Sequence, residues 1–112
     1  MTYQVVELSL PDGTSPFSEW FLSLDALVAA KITVAVSRIE QGNLSNVEWF
    51  RGIGEYKINW GPGLRIYIAK EGLKVIVLLG GGCKKRQQVD INAAVALWED
   101  HKRRRAQNKK RG

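Results

Sequence analysis

The chain has 112 residues, which is the size of a single domain with one hydrophobic core. Its apolar fraction of 45% and its charged fraction of 25% are typical of globular proteins, so the composition excludes a wholly disordered chain. No apolar run approaches the roughly 18 residues that a membrane-spanning helix requires, and the first residues do not resemble a secretory signal. We therefore expect a soluble, cytoplasmic protein with no membrane association.

The supply of side chains that bind metals or form disulfides is small. The single cysteine, Cys83, excludes an internal disulfide bond and favours a reducing compartment. One cysteine and one histidine, His101, with scattered carboxylates give little support to a metal site. We expect neither a metal ion nor another cofactor.

The net charge of +6 is unevenly distributed along the chain. Residues 101 to 112 (HKRRRAQNKKRG) contain seven Lys and Arg residues and no acid, whereas residues 1 to 100 contain ten bases and eleven acids. Within this first part, residues 1 to 50 contain two bases and six acids, and residues 51 to 100 contain eight bases and five acids. This asymmetry indicates a polyanion or an acidic partner on one side of the molecule, although a merely solvated basic tail has the same composition.

The first half of the chain predicts one strand and two helices. Residues 3 to 10 are rich in β-branched and apolar side chains and predict a strand, which a Pro-Asp-Gly turn ends. Ser15 then begins an apolar pattern of helical period, and Asp25 begins a second one that a Gly-Asn pair closes. Two such consecutive helices predict a helical hairpin. Residues 43 to 52 are polar around two aromatic residues, and we interpret them as a loop with a hydrophobic anchor.

From Ile53 onward the apolar period changes to two, which is typical of strands. Residues 53 to 60 and 64 to 69 alternate on either side of Gly61-Pro62-Gly63, which predicts a β-hairpin with a loop of roughly three residues. In that register residue 59 lies opposite residue 65, and residue 57 lies opposite residue 67. One face of the hairpin is then polar and cationic, and we expect it to be solvated, while the apolar face meets the helices. The residues of the polar face are Lys57, Asn59, Arg65 and Tyr67.

The last predicted elements are a strand and a helix. Residues 75 to 79 (VIVLL) are apolar on both faces, as expected of a central strand, and the glycines at positions 80 to 82 end it. Apolar residues at helical spacing from position 91 to position 98 then predict a helix. The order is β-α-α-β-β-β-α, which is an α+β domain over residues 1 to 100 with a basic extension over residues 101 to 112.

The segment GGGCKKR, residues 80 to 86, combines glycines with a cationic cluster. Glycines let a backbone turn sharply and approach a ligand, and Lys84, Lys85 and Arg86 follow at once. A cationic cluster beside a cationic sheet face is suited to an RNA phosphate. Simple turn chemistry for the glycines and solvated surface for the bases are the alternative interpretations.

The run GEYKINWGPGLRIYIA, followed by KVIVLLGGGCKKRQQVDINAAVALW, resembles the C-terminal half of the RelE/ParE toxins. The similarity is closest to the phage-derived, HigB-related addiction module killer branch, and the segments GPGLRIY and GGCK together carry it. The resemblance covers roughly residues 50 to 100. It implies a small sheet with two N-terminal helices packed together and a last helix against the sheet. RNase members of the family cleave messenger RNA without a metal, usually in the ribosomal A site.

By position, the resemblance implies a role for three cations. Arg65 matches the strand arginine that holds the phosphate, Lys57 matches a catalytic cation, and Lys84 matches the charge-stabilising arginine after the glycine. Two positions depart from the pattern of the RNases. Asn59 stands where a second lysine serves as the proposed general base, and Asp90 stands where the general-acid tyrosine is found. The proton-transfer groups therefore remain open.

Three functions follow from the resemblance. The first is an endoribonuclease toxin of a type II toxin-antitoxin system that acts on messenger RNA, in association with the ribosome. The second is a gyrase-inhibiting toxin without enzymatic activity, and the third is an inactive relic that still binds its antitoxin. The resemblance also implies a cognate antitoxin, often a helix-turn-helix protein. Beside the three cations, the residues predicted to contact RNA are Asn59, Tyr67, Lys85, Arg86, Lys102, Arg103, Arg104 and Arg105.

Overall fold

The computed structural model describes residues 1 to 111, with the side chains of residues 1 to 109. The chain forms an α+β structure in which one mixed sheet of five strands is combined with three α-helices. The elements in chain order are β1 (Gln4–Glu7), α1 (Pro16–Leu22), α2 (Ala26–Glu40), β2 (Val47–Phe50), β3 (Ile53–Ile58), β4 (Leu64–Glu71), β5 (Val75–Cys83), a single 3-10 turn (Lys84–Arg86) and α3 (Gln87–Arg111).

The two N-terminal helices begin at the predicted caps. The Ser15 hydroxyl accepts a hydrogen bond from the backbone N–H of Ser18 at 3.1 Å, and Pro16 occupies the first helical position. The Asp25 carboxylate accepts from the backbone N–H of Val28 at 3.0 Å. Each cap satisfies a backbone donor that the first helical turn leaves without a partner, so the local sequence determines where each helix begins.

The sheet has the strand order β1-β5-β4-β3-β2. β1 pairs with β5 in parallel, and the other three pairs are antiparallel. β4 therefore lies at the centre, with β5 and β3 beside it, and β5 is covered by β1 on its other edge.

The sheet separates two hydrophobic clusters. One face packs against α1 and α2, through Phe17, Ile32, Ala35 and Ile39 of the helices. The other face packs against α3, through Ile91, Ala94 and Trp98. Each fully buried aliphatic side chain stabilises the fold by about 1.5–3 kcal/mol relative to an exposed one, so both layers contribute to stability.

The prediction that the polar face of the hairpin is solvated is right for Lys57 and Asn59, which are exposed, and wrong for Arg65 and Tyr67. Tyr67 is only 1% exposed and Arg65 only 8%, and Tyr67 packs in the cluster with α3. The prediction that the apolar face meets the helices is confirmed, since Tyr56, Leu64 and Ile66 lie in the cluster with α1 and α2.

The interpretation of residues 43 to 52 as a loop is also wrong. Val47–Phe50 forms the edge strand β2, which pairs antiparallel with β3, and Trp49 lies opposite Gly54. The turn between the strands is Arg51-Gly52, and both residues have positive φ, of 52° and 83°. This geometry matches the tight turns of β-hairpins. The sequence did not predict the turn, because Asn, Asp or Gly usually occupies the position that Arg51 occupies here. The observed order therefore contains one strand more than predicted.

The register of the central hairpin differs from the prediction by two residues. Lys57 pairs with Arg65, so the connection runs over residues 59 to 63 rather than over three residues. Because side chains alternate with a period of two, a shift of two leaves the same residues on the same face. The shift brings Glu55 opposite Tyr67 and next to the predicted cations.

The glycines at positions 80 to 82 do not end β5, which continues to Cys83. They pair with β4 opposite Tyr67, Ile66 and Arg65. A methyl group on Gly81 would overlap the Trp20 ring of α1, and one on Gly82 would overlap the Asp90 carboxylate of α3. The missing side chains therefore let a helix approach the strand from either side.

The basic extension continues the last helix. α3 runs without interruption from Gln87 to Arg111, a length of 25 residues, so residues 101 to 111 are helical. In the part of the chain that the structure describes, no helix is long and apolar enough to cross a membrane.

Candidate functional site

A groove of about 940 Å³ lies between α2 and the end of the β3–β4 hairpin. α2 forms one wall, and the hairpin with the start of the 3-10 turn forms the other. Among the described residues that line the groove there are five cations and no carboxylate. The cations are Lys31, Arg38, Lys57, Arg65 and Lys84.

The groove brings together the three cations that the sequence analysis singled out. Lys57 and Arg65 face each other across the β3–β4 ladder. The Gly63 carbonyl accepts a hydrogen bond from Arg65 Nη1 at 3.1 Å and another from the backbone N–H of Lys84 at 2.8 Å. One carbonyl group thus ties the β4 arginine to the residue that begins the 3-10 turn.

Glycine is favoured at position 63 for two reasons. Its φ of +80° is unfavourable for residues with a side chain. A Cβ atom at this position would also lie 3.0 Å from Arg65 Nη1 and 3.2 Å from Lys84 Cβ. The second glycine of the GPG segment therefore positions the two cations rather than only turning the chain.

Glu55 is a carboxylate buried beneath this group of cations, with 1% of its surface exposed. Its Oε2 lies 3.3 Å from Arg65 Nε, and its Oε1 lies 3.8 Å from Lys57 Nζ. The Arg65 contact is an ion pair and not a hydrogen bond, because Arg65 Nε has no hydrogen-bond partner among the described residues. A buried charge requires a partner of opposite sign, so Glu55 and Arg65 hold each other in place.

Two neutral side chains complete the surroundings of Glu55. Gln87 Nε2 donates to its carboxylate at 2.9 Å, and the Tyr67 hydroxyl donates at 3.3 Å. Gln87 begins α3, directly after the 3-10 turn that carries Lys84. Glu55 therefore connects the hairpin to the segment that supplies the third cation.

Tyr67 does not reach the groove. Its side chain lies in the cluster with α3, and its hydroxyl is directed at Glu55. Burial raises the pKa of the Tyr67 hydroxyl, and the nearby Glu55 carboxylate raises it further. The hydroxyl therefore stays protonated at neutral pH, and Tyr67 does not line the groove.

Lys57 is held as a cation. A hydrogen bond and ion pair with the Glu48 carboxylate raise the pKa of Lys57, and the two groups are 2.9 Å apart. Glu48 lies on the edge strand β2, which the sequence did not predict. A lysine that keeps its proton suits charge stabilisation better than proton abstraction.

The other predicted positions are divided between the groove and its surroundings. Asn59 lines the groove, whereas Lys85 and Arg86 lie exposed in the 3-10 turn and are absent from the lining. Asp90 packs against Gly82 on the side of α3. Partial burial raises the pKa of the Asp90 carboxyl, although Arg86 opposes this shift.

Four cations of the tail, Lys102 to Arg105, are paired with acids that do not line the groove. Lys102 lies 3.1 Å from Glu99, and Arg103 and Arg104 lie 3.0 Å and 3.4 Å from the Asp100 carboxylate.

The tail also reaches the far end of the central strand. Arg105 forms an ion pair with Glu71, the last residue of β4, while Arg65 stands near the start of that strand. Arg65 and Glu71 are six positions apart in the strand, which corresponds to about 20 Å. His101, which the sequence leaves without an evident partner, stacks on Trp98 and lies 3.7 Å from Glu71.

Sequence reasoning missed four residues at this site, namely Lys31, Arg38, Glu55 and Gln87. The alternation of β3 places Glu55 on the same face as Lys57, so a lone acid on a cationic face was a usable signal. Lys31 and Arg38 are the two bases within the acidic first fifty residues, and they lie seven residues apart in a helix. Gln87 carries no signal in the sequence.

Comparison with known proteins gives one informative relative. No family model matches the chain, and no solved structure matches it. A protein of Haemophilus influenzae (strain ATCC 51907 / DSM 11121 / KW20 / Rd), itself described as an uncharacterized protein, is 34% identical over 89 residues. The match covers 78% of this chain and 90% of the relative. The chain belongs to the same family as this Haemophilus protein.

Proposed function

We propose that the protein is the toxin of a type II toxin-antitoxin system, of the RelE/ParE type, and that it is a metal-independent endoribonuclease. Its substrate in this proposal is messenger RNA in the cytoplasm, in association with the ribosome. The observation that carries the proposal is the convergence of Lys57, Arg65 and Lys84 on one groove whose described lining contains no carboxylate. Glu48 and Glu55 pair with Lys57 and Arg65, and the other three cations of the lining leave an excess of positive charge that favours a polyanion.

The chemistry of RNA cleavage explains why three cations suit this site. The ribose 2′-hydroxyl attacks the adjacent phosphate, and negative charge develops on the phosphorane oxygens. Arg65 is held by the Gly63 carbonyl and faces the Glu55 carboxylate, so its guanidinium is oriented before a substrate arrives. Donors that are fixed in advance stabilise a transition state without the cost of reorganisation.

The element order also supports the proposal. Two capped N-terminal helices pack on one face of a small sheet, and the last helix packs on the other face. This arrangement is compatible with the small α+β fold that the sequence resemblance implies, although β2 adds an edge strand to the predicted order. A cognate antitoxin, of the helix-turn-helix type in this branch, is part of the same proposal.

A specific observation favours an alternative in which the toxin binds its target without cleaving it. Asn59 stands at the position of the general base, Asp90 packs against Gly82, and the Tyr67 hydroxyl is directed into the protein. The groups that transfer protons in the related RNases are thus replaced or turned away. A gyrase-inhibiting toxin, or a relic that retains antitoxin binding, needs no such groups.

The test is primer extension on messenger RNA in a translating extract. Arg65→Ala is a poor variant, because it leaves the buried Glu55 carboxylate without its nearest cation and threatens the fold. Lys84→Ala removes a cation that is exposed and lines the groove. Its matched control is Lys85→Ala, which removes the same charge one residue later, outside the lining.

We expect discrete cuts with the wild type and with Lys85→Ala, and a loss of at least about tenfold with Lys84→Ala, because a single charge-stabilising donor commonly contributes that much or more. If the wild type leaves no cuts, the endoribonuclease proposal fails. A gyrase supercoiling assay then separates a gyrase inhibitor from an inactive relic.

A further inference from the structure

One wall of the groove consists of a stripe on α2 that the cleavage chemistry does not require. Leu27, Lys31, Val34 and Arg38 follow one another at intervals of four, three and four residues, so they share one side of the helix. All four line the groove. The neighbouring side of the helix, with Ile32, Ala35 and Ile39, is buried against the sheet. This packing determines which way the four residues of the stripe face.

The two cations of the stripe have no acid to pair with. Lys31 and Arg38 are exposed and form no ion pair with a described residue, whereas the described tail cations Lys102 to Arg105 are paired. Seven helical residues separate them by about 10 Å along the axis. Side chains of this length at that separation can hold two successive or nearly successive phosphates of one strand.

The spaces beside the cations offer apolar surface. Leu27 is 61% exposed and Val34 is 51% exposed. Trp60 lines the opposite wall, partly exposed and partly packed against the cluster of α1 and α2, and it makes a cation–π contact with Lys31, whose Nζ lies 5.5 Å from the ring centroid. Cationic walls with an aromatic ring are the usual means of holding an unpaired strand, since the backbone follows the charges and a base stacks on the ring.

The observations favour RNA over a protein partner on this wall. Leu27, Ala30 and Val34 form only a narrow apolar strip, and Lys31 and Arg38 stand beside it, so this wall differs from the broad apolar patch that marks protein interfaces. The cations of the stripe line the same groove as Lys57 and Lys84, so the groove has room for a single polyanionic strand that contacts all of them. An acidic amphipathic segment of a protein is the competing occupant, and the experiment below separates the two.

We propose that Lys31 and Arg38, together with Trp60, form a second contact that holds a single-stranded segment of RNA beside the three central cations. The inference rests on the proposed function, because it extends the same groove. It assigns the α2 wall to the sugar-phosphate backbone of the strand and the Trp60 ring to a base.

The experiment measures binding of an unstructured RNA of about 12 nucleotides by fluorescence anisotropy over a range of salt concentrations. The variants are Lys31→Ala/Arg38→Ala and, as the matched control, Lys74→Ala/Lys109→Ala. The control residues are exposed, lie outside the groove lining and carry the same two charges. Lys84→Ala serves as the arm that tests the groove itself.

For single strands, each phosphate contact contributes about 0.7 to the slope of log K against log salt. The variant Lys31→Ala/Arg38→Ala is therefore expected to lower this slope by about 1.4 and to weaken binding. The control variant Lys74→Ala/Lys109→Ala is expected to keep the slope of the wild type. A duplex of the same sequence is expected to bind more weakly than the single strand, because its bases are not free to stack on Trp60.

The possible outcomes separate the two proposals. If the wild type binds no RNA, both the proposed function and this inference fail. If Lys84→Ala weakens binding but the α2 pair behaves as its control does, only the inference is overturned, and the stripe is left to an acidic protein segment. Equal affinity for the duplex overturns the assignment of a single strand.

Discussion

At the scale of single residues, the buried carboxylate of Glu55 explains how cations that repel one another are held close together in the groove. It is buried to 99%, and it contacts Arg65, Lys57, Gln87 and Tyr67. Positive charges brought together without a substrate would weaken the fold by their mutual repulsion. A buried carboxylate beneath them offsets part of that repulsion and leaves their outer sides available to a phosphate.

This position predicts that Glu55→Ala is strongly destabilising. The substitution leaves the Arg65 guanidinium, which is 8% exposed, without its counter-ion, and breaking a buried pair in this way costs about 3–5 kcal/mol. Urea denaturation followed by circular dichroism measures the change in the free energy of unfolding.

The matched control is Glu48→Ala, which removes the other acid that contacts Lys57. Both side chains of that pair are exposed, so we expect little change in stability. If Glu55→Ala costs no more than Glu48→Ala, the buried carboxylate does not hold the site together.

At the scale of elements, the glycines of β5 show how a strand accommodates a helix on each face. Gly81 faces Trp20 of α1, and Gly82 faces Asp90 of α3, and neither position has room for a methyl group. In sequence these glycines resemble a turn that ends the strand. In the structure they continue the ladder with β4 through a register shift at Tyr67/Ile68.

We therefore expect Gly81→Ala to destabilise the protein by about 1–3 kcal/mol, because the new methyl group overlaps the Trp20 ring. The measurement is thermal or urea denaturation of the single variant, of Trp20→Leu and of the double variant. The smaller leucine relieves the overlap, so the double variant should lose less than the sum of the two single losses. Additive losses would mean that Trp20 is not the obstacle.

At the scale of the whole molecule, the basic surface consists of two separate regions at opposite ends of strand β4. The groove lies at the start of β4, and the basic end of α3 lies at the end of that strand, where Arg105 pairs with Glu71. The two regions lie at opposite ends of β4, about 20 Å apart, so binding in the groove does not require contact with the tail. The tail cations are also neutralised in part by Glu99 and Asp100.

This arrangement predicts that the tail matters less than the groove for binding of a short RNA. Lys102→Ala/Arg103→Ala removes the same charge as Lys31→Ala/Arg38→Ala but takes away cations that are already paired. We expect the tail pair to weaken the binding of an RNA of about 12 nucleotides by less than the α2 pair does. The comparison uses fluorescence anisotropy at one salt concentration, and an equal or larger loss for the tail pair would restore the tail as a primary contact.

Features that depend on neighbours along the chain were predictable from the sequence. Ser15 and Asp25 cap α1 and α2 as predicted, because a cap is a contact over three residues. Alternation in β3 and β4 placed Lys57 and Arg65 on one face, and this assignment survived an error of two residues in the register because the period of a strand is two.

What covers each face of the sheet, and which distant residues join the site, depends on the packing of the elements against one another. Periodicity shows that Tyr67 and Arg65 share a face, but it does not show that Tyr67 packs in the cluster with α3. In the same way, Lys31 and Arg38 lie far from Lys84 in sequence, and the three residues line the same groove only because α2 packs against the sheet. Such contacts depend on how the layers assemble, and no local pattern of residues encodes that assembly.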